Sequence, residues 1–463
     1  MSETSHPAGA RMAEEPFPAP AVGWYATIML AFLYWMSLLD RFIISMMVDP
    51  IKADLGLTDV QFGLLQGLAF IISFTVFGFI FGALADRKDR RKLIFIGVMV
   101  WSLASAACGL AQNFWHMLIA RMGLGAGEAS LNPCATSMIS DLFPREKLTS
   151  AMAVYSIGAT IGSGTALMIG GGVIYWVASF GDIVLPVVGH VATWQMVFFI
   201  VGLSTLPLTF LVFTIPEPVR RGRAPAVDTG RSWRSTYGEM LRFIKRHPRF
   251  FASHYTGFTI ASAVVSGCVA WYPVHMSRTF GWGQGSIGLY LGSILMIAGI
   301  SGKLVTGWTV DAMYRRGFRD AQLRWYSASL FIAAPMGVIA TLSGNPWVFL
   351  VMIGVFTTLT TSMQACAMSA LNLVTPNQLR GTGVAVYTTV AALLGGSVGA
   401  VVIPIIAEYL YHGEAAIGLG IATFVGVACP LSGLALFSGF KAMRGAMAEA
   451  EGGRPAARGS VAS

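Results

Sequence analysis

The chain has 463 residues, 55% of them hydrophobic and 11% charged, with a mean hydropathy of +0.66. An ordinary globular domain carries roughly 25% charged residues, so this composition argues against a soluble protein and requires most of the surface to face lipid. The net charge of +9 falls in short clusters between apolar runs, with no basic stripe interleaved with aromatics, which argues against nucleic acid as a partner.

In chain order, residues 1–22 are polar and proline-rich (Pro7, Pro16, Pro18, Pro20), which predicts a disordered cytoplasmic tail with no cleavable signal peptide. A membrane-spanning helix needs about 20 mostly apolar residues. Such runs lie at 24–48, 60–84, 92–111, 115–141, 149–178 and 194–215, and again at 250–276, 286–310, 325–343, 347–374, 382–410 and 416–440. Alternation of period two is absent and the runs are too long for barrel strands, so an all-α membrane protein of twelve transmembrane helices is expected. The domains expected are a six-helix bundle over 23–215, a cytoplasmic linker over 216–249, a second six-helix bundle over 250–443 and a cytoplasmic tail over 444–463.

The loops alternate in charge. Arg87, Lys88, Arg90, Arg91 and Lys92 follow the second run, Arg145 and Lys147 the fourth, Arg315, Arg316, Arg319 and Arg324 the eighth, Arg380 the tenth, and Lys441 and Arg444 the twelfth. The other loops hold little beyond Lys52 and Arg278. Basic loops stay cytoplasmic, so both termini are expected there. In the linker, Trp233, Tyr237, Met240, Leu241 and Ile244 with Arg234, Arg242, Lys245 and Arg246 form an amphipathic pattern. It reads either as a helix lying on the interface or as a simple connection between halves.

The halves repeat. Gly82-Ala-Leu-Ala-Asp86-Arg87-Lys-Asp89-Arg90-Arg91 matches Gly307-Trp-Thr-Val-Asp311-Ala-Met-Tyr-Arg315-Arg316 at an offset of 225 (307 − 82). Trp115 with Trp347, Cys134 with Cys366, Pro144 with Pro376 and Ala153-Val154-Tyr155 with Ala385-Val386-Tyr387 share an offset of 232 (347 − 115). Parallel six-helix repeats related by an axis along the membrane normal characterise one transporter architecture, with substrate held near mid-membrane between the halves.

The Gly82 to Arg91 run resembles the loop signature of the major facilitator superfamily, between the second and third helices, with a degenerate second copy in the matching loop. Asp89 departs from the family pattern, which usually has Gly. The resemblance implies the major facilitator fold, with pseudo-two-fold symmetry between the halves. Gly82, Asp86, Arg87, Arg90, Arg91, Asp311 and Arg315 are expected to form a cytoplasmic gate. Gly82 would permit close helix approach and Asp86 would accept charge-assisted hydrogen bonds at a helix end. The plainer alternative is that these charges only set topology.

Ionisable groups inside a span are costly and mark function by default. The first run holds Asp40-Arg41, the fourth Arg121 and Glu128, and the eighth Lys303. Arg121 and Glu128 lie two turns apart on one face, roughly 10 Å. If the first and fourth spans line a common cavity, these groups form one network. Its counterparts by the two offsets are Val265, Ser266, Ile353 and Thr360. Burial favours a neutral carboxyl and a nearby guanidinium favours the charged one, so rocking of the halves could load and release a proton. Asp40, Arg41, Arg121 and Glu128 are therefore the expected proton-coupling groups, with a static buried ion pair as the alternative. Lys303 either faces substrate or snorkels to the membrane surface.

Asp40-Arg41-Phe42 followed by Gln61-Phe-Gly63-Leu-Leu-Gln66, and Arg121-Met-Gly123-Leu-Gly125-Ala-Gly127-Glu128-Ala129-Ser130 followed by Asp141-Leu-Phe-Pro144, look like Spinster-type transporters; Tyr155-Ser-Ile-Gly158…Gly162-Ser-Gly164 fits as well. The resemblance covers roughly residues 30–170 and implies proton-linked movement of lysophospholipids or sphingosine-type lipids, in a bacterial homologue of the inner membrane. Organic anions, sugar acids or drugs on the same fold are the alternative cargo. Tyr34, Trp35, Gln66, Phe70, Asn132, Trp271, Gln364 and Lys303 are candidates for the substrate cavity. No cofactor, no metal site and no enzyme chemistry is expected: the seven histidines are scattered, no GxxxxGK[ST] loop occurs, and Cys108, Cys134, Cys268, Cys366 and Cys429 sit in apolar runs. Substrate, protons and membrane lipids are the partners expected, for a monomer.

Overall fold

The computed structural model describes residues 17–85, 87–181, 183–185, 189–220, 233–376, 378–413 and 416–452. Among them, eleven helices are long and apolar enough to cross a membrane. They are span 1, Pro20–Met46; span 2, Asp59–Ala85; span 3, Arg90–Cys108; span 5, Glu146–Ala178; span 6, Thr193–Thr214; span 7, Pro248–Phe280; span 8, Gln284–Arg315; span 9, Ala321–Leu342; span 10, Pro346–Val374; span 11, Arg380–Leu410; and span 12, Ile417–Glu449. The twelfth crossing is the fourth in order. It is divided into Phe114–Glu128 and Leu131–Leu142, which leaves neither piece long enough alone.

That break reveals the repeat. Span 10 divides the same way, into Pro346–Thr360 and Met363–Val374. The interruptions at Ala129-Ser130 and Thr361-Ser362 stand at the same offset of 232 (361 − 129). So do the residues that start these helices. Asn113 Oδ1 accepts from the His116 N–H at 3.0 Å, and Asn345 Oδ1 accepts from the Trp347 N–H at 2.9 Å. Each side chain satisfies donors that a helix start leaves unpaired.

Several expected boundaries move. Span 1 begins at Pro20, where a proline fits the first helical turn, so the expected N-terminal tail is shorter at its inner end and its residues 1–16 lie outside the described ones. The end of the chain is not all tail: a helix runs over Phe440–Gly452, with Met443 and Met447 buried and Arg444 Nε 3.5 Å from Asp320 Oδ2. The amphipathic stretch of the linker is a helix over Trp233–Arg246, burying Met240 and exposing Leu241 and Tyr237; linker residues 221–232 are outside the described ones.

The bundle has two ends. One, the terminal end, holds the start of span 1 at Pro20, the Phe440–Gly452 helix and the 87–90 and 315–320 loops. The other, the far end, holds Gly56, whose φ of 63° ends the short helix Val48–Leu55, and the hairpin Ile183–Leu185 with Gly189–Val191. The two halves touch closely in the far part of the bundle. A Cβ on Gly164 of span 5 would stand 2.6 Å from the Gly292 carbonyl oxygen of span 8, and one on Gly292 would stand 2.5 Å from the Gly164 carbonyl oxygen. Only glycine lets two backbones meet this way.

Candidate functional site

The charges of the first half converge. Arg41 Nη2 donates to Glu128 Oε2 at 2.5 Å, joining span 1 to span 4. The Glu128 side chain is 1% exposed and that of Arg41 28%. Asp40, fully buried on the next position of span 1, accepts from Ser105 Oγ of span 3 at 2.5 Å. Phe70 of span 2 lies between the two cations, its ring centroid 4.5 Å from the Arg41 guanidinium carbon and 5.6 Å from that of Arg121. Such contacts are worth about 0.5–2 kcal/mol each. Phe70 can take this place because span 4 carries no side chain at Gly125, where a Cβ would stand 2.5 Å from the Phe70 carbonyl oxygen.

The network is only partly satisfied. Asp40 Oδ2, Glu128 Oε1 and Arg121 Nε and Nη1 are buried without a hydrogen-bond partner among the described residues. Buried polar groups left unpaired cost about 1–3 kcal/mol each, more when charged.

Beside the network is a cavity between the halves, in two adjoining lobes that share Phe42, Val265 and Val269. The first lobe, about 330 Å³, is walled by Arg41, Gln66, Phe70 and Ile71 from the first half and Ser266, Met363 and Ala400 from the second. Gln66 is set there by a π-helical turn over Leu65–Ala69 in span 2, a local widening that often marks functional positions. Both amide atoms of Gln66 are buried and unpartnered. The second lobe, about 230 Å³, is lined by Ser163, Leu295, Lys303, Thr357 and Thr360 among others. Lys303, whose side chain is exposed, also lines a recess of about 180 Å³ with Thr306, Asp311, Gln322 and Ser369.

The remaining candidates stand elsewhere. Trp271 is fully buried and its indole N–H donates to the Ala400 carbonyl at 2.8 Å; it joins span 7 to span 11 and is outside the cavity lining. A large indole satisfied by a neighbouring backbone is a packing element, and the sequence does not separate that from a binding face. Tyr34 stacks on Tyr155 at 5.3 Å, and the Tyr155 hydroxyl donates to Asn132 Oδ1 at 2.6 Å, so Tyr34 and Asn132 belong to one cluster on spans 1, 4 and 5. Trp35 Nε1–H donates to Thr165 Oγ1 at 2.7 Å. Gln364 is exposed on span 10.

At the terminal end, Arg90 is completely buried. It bonds Asp141, the Glu217 carboxylate at 2.7 Å, Ser137 Oγ at 2.9 Å and the Pro218 carbonyl at 2.8 Å. These partners all belong to the first half or its exit, so in this conformation Arg90 braces one half. Arg91 pairs with Asp89 at 3.3 Å, and Arg87 is exposed. Asp86 lies outside the described residues. Gly82, expected to admit a close helix, has open space at its Cβ position. In the second copy Asp311 and Arg315 are exposed.

Sequence reasoning missed the far end. Arg278 of span 7 donates to Asp49 at 2.6 and 2.9 Å and to Asp59 at 2.6 and 2.9 Å, and Lys52 Nζ donates to Asp59 Oδ1 at 2.5 Å. The backbone N–H of Val60 donates to Glu408 of span 11 at 3.2 Å. These contacts tie the halves together. The available signal was that Lys52 and Arg278 were exceptions to otherwise bare loops. Among the described residues no group of three or more His, Cys, Asp or Glu could hold a metal ion.

A two-half helical bundle enclosing a mid-depth cavity, with buried charge on its wall, is the build of a secondary transporter. The chain belongs to the Major Facilitator Superfamily, whose family model matches residues 30–400. It is 26% identical over 414 residues to an MFS-type efflux pump of Mycolicibacterium smegmatis, covering 88% of this chain and 90% of that one. It is 26% identical over 409 residues to protein spinster homolog 1 of Xenopus laevis, covering 84% and 74%. Its fold matches the crystal structure of a bacterial homologue of the human lysosomal transporter Spinster in an inward-facing, unoccupied conformation, with a TM-score of 0.75 at 21% identity over 93% and 99% of the two chains. A D-xylose–proton symporter matches with a TM-score of 0.63 at 15% identity over 89% and 97%. The protein is a membrane transporter of this superfamily, similar to the Spinster proteins.

Proposed function

We propose that the protein is a proton-coupled secondary transporter of amphiphilic lipids, of lysophospholipid or sphingosine-phosphate type, working by alternating access. The observation that carries this reading is the double engagement of Arg41, which bonds the buried Glu128 and at the same time walls the apolar lobe of the cavity. Substrate filling that lobe and displacing Arg41 would leave Glu128 to take a proton, and release of the substrate would return the guanidinium and expel it. Asp40 and Arg121 complete the relay. The cavity's wall of Phe42, Phe70, Ile71, Val269 and Met363 suits an acyl chain.

The terminal end, with the start of span 1, the Phe440–Gly452 helix and the basic loops, is assigned to the cytoplasm of a bacterial inner membrane. The far-end ion cluster then closes the external side, and the residues around Asp86, Arg90, Asp311 and Arg315 close the cytoplasmic side in the opposite state. The working unit is a monomer, since one chain encloses the cavity.

The test is lysophospholipid flux in proteoliposomes with an imposed pH gradient, comparing wild type with Glu128→Gln and Asp40→Asn. Gradient-driven flux lost in both variants is the expected result. Flux indifferent to gradient and variants would remove the coupling role. No lipid flux from folded wild type would favour the second reading, a small organic anion or sugar acid, for which the fold likeness to a D-xylose–proton symporter gives some support.

A further inference from the structure

Each half brings one cation to the cavity, and the two are not equivalent. Arg41 stands 2.5 Å from Glu128 and over the faces of Phe70 and Phe74 at 4.5 and 5.3 Å. Lys303 stands in the other lobe, on span 8, among the hydroxyls of Ser163, Thr357, Thr360 and Thr361. The position equivalent to Lys303 in the first half is Gly78 (303 − 225), so the repeat supplies no matching charge there.

We propose that Lys303, with the threonine hydroxyls around it, is the headgroup site of the transporter and makes it selective for amphiphiles whose headgroup carries net negative charge. The inference rests on the amphiphile reading above and adds a polarity to it. The headgroup lies in the Lys303 lobe, and the chain extends past Phe42 and Val269 into the lobe of Phe70 and Met363. An ammonium is a compact point charge on a flexible stem, able to follow a phosphate while the halves move. The hydroxyls of Thr357 and Thr361 can donate to its remaining oxygens. A zwitterionic headgroup would place its own cation beside Lys303 and lose by repulsion what the phosphate gains.

The test is competition binding on the full chain in nanodiscs, with a fluorescent lysolipid displaced by lysophosphatidylglycerol or by lysophosphatidylcholine. Wild type, Lys303→Arg and Lys303→Gln are compared, each first checked for a monodisperse profile and an unchanged melting midpoint. Wild type should bind the anionic lipid about ten-fold more tightly than the zwitterionic one, the margin of one charge-assisted contact. Lys303→Gln should erase that preference by weakening only the anionic lipid, and Lys303→Arg should keep most of it. Equal binding of both lipids by wild type, or a preference that survives Lys303→Gln, overturns the headgroup site while leaving lipid transport standing. Failure of wild type to bind either lipid overturns the amphiphile reading and this inference with it.

Discussion

The two halves share a backbone plan and differ in what they place on it. Asp40, Arg41, Arg121 and Glu128 in the first half correspond to Val265, Ser266, Ile353 and Thr360 in the second. Val265 and Ser266 wall the same lobe as Arg41, and Thr360 lines the lobe of Lys303. Both halves interrupt their fourth helix at equivalent residues and cap it with equivalent asparagines. The pseudo-symmetric fold therefore fixes where groups stand, and sequence divergence decides which half carries charge. The terminal loops show the same split. Arg90 is buried against Asp141 and Glu217, whereas its counterpart Arg315 is exposed and the position equivalent to Asp141 is Leu373.

The sharpest way to break this comparison is at that arginine pair. Removing Arg90 takes the shared cation from Asp141 and Glu217, although Glu217 is 22% exposed and keeps Arg91. Breaking a buried ion pair in this way costs about 3–5 kcal/mol. Arg90→Ala is expected to lower the thermal unfolding midpoint of the purified protein by several degrees, while Arg315→Ala changes it by less than about one, as for ordinary surface substitutions. Equal effects would mean that both loops brace their halves alike.

Arg41 comes next. Arg41→Ala should reduce gradient-driven flux at least ten-fold, and Ser266→Ala, its second-half equivalent, less than about two-fold. Arg41→Ala should also destabilise, because Glu128 is left buried and unpaired. Adding Glu128→Gln should restore the melting midpoint without restoring coupled flux, since non-additivity is expected of groups in contact. If flux returns with stability, the pair is a packing element only.

A smaller shift is expected at the far end, where Arg278 joins the halves. Asp49 is 43% exposed there and Asp59 keeps Lys52 as a partner, so the loss is reduced by solvent and by the remaining bond. Arg278→Ala should raise the population open at that end by about five-fold, on the order of 1 kcal/mol. Distance measurements between spin labels on the two far-end loops would read it. An unchanged distribution would mean that the close Gly164–Gly292 packing alone holds this end shut.

How far these features were legible follows from their physics. Helices in lipid must be long and apolar, so the crossings could be read one by one. The interruption of the fourth could not, because Ala129-Ser130 contains neither proline nor glycine. Arg41 and Glu128 stood out because charge in an apolar run is rare. Ser105 did not, because a serine in a span more often bonds its own helix. The cluster of Asp49, Asp59 and Arg278 is not legible in sequence, since its pairing joins residues more than two hundred positions apart. Trp271, as apolar wall, and Gln66, as a polar contact, are both candidates for the cavity by sequence. Only packing separates them: the indole meets a backbone carbonyl and the amide meets the cavity.

The smallest effect concerns Asp89, the departure from the glycine usual in this loop. It caps span 3, its Oδ1 accepting from the Arg91 and Lys92 N–H groups at 3.0 and 3.2 Å, with a backbone φ of −57° that any residue can adopt. Turn geometry therefore does not require glycine here. Partial burial pushes the Asp89 carboxyl up, but bonds from Arg91 and Lys92 and the Arg91 charge outweigh it and hold it below the usual carboxylate range. A depressed carboxyl adds stability that is present at neutral pH and is lost as pH falls below about 4. Asp89→Ala should cost about 1 kcal/mol, and Asp89→Gly only a few tenths, the ordinary scale for a helix cap. Asp89→Asn should keep the cap and lose only the charge, so its melting midpoint should fall slightly below wild type at pH 7 and rejoin it only under the carboxyl's depressed titration range, below pH 4. The equivalent position in the second half is Tyr314 (89 + 225), which has no carboxylate to titrate. Tyr314→Phe should therefore leave the acid limb of the stability profile unchanged, and a change there would show that the two loops are less different than their residues imply.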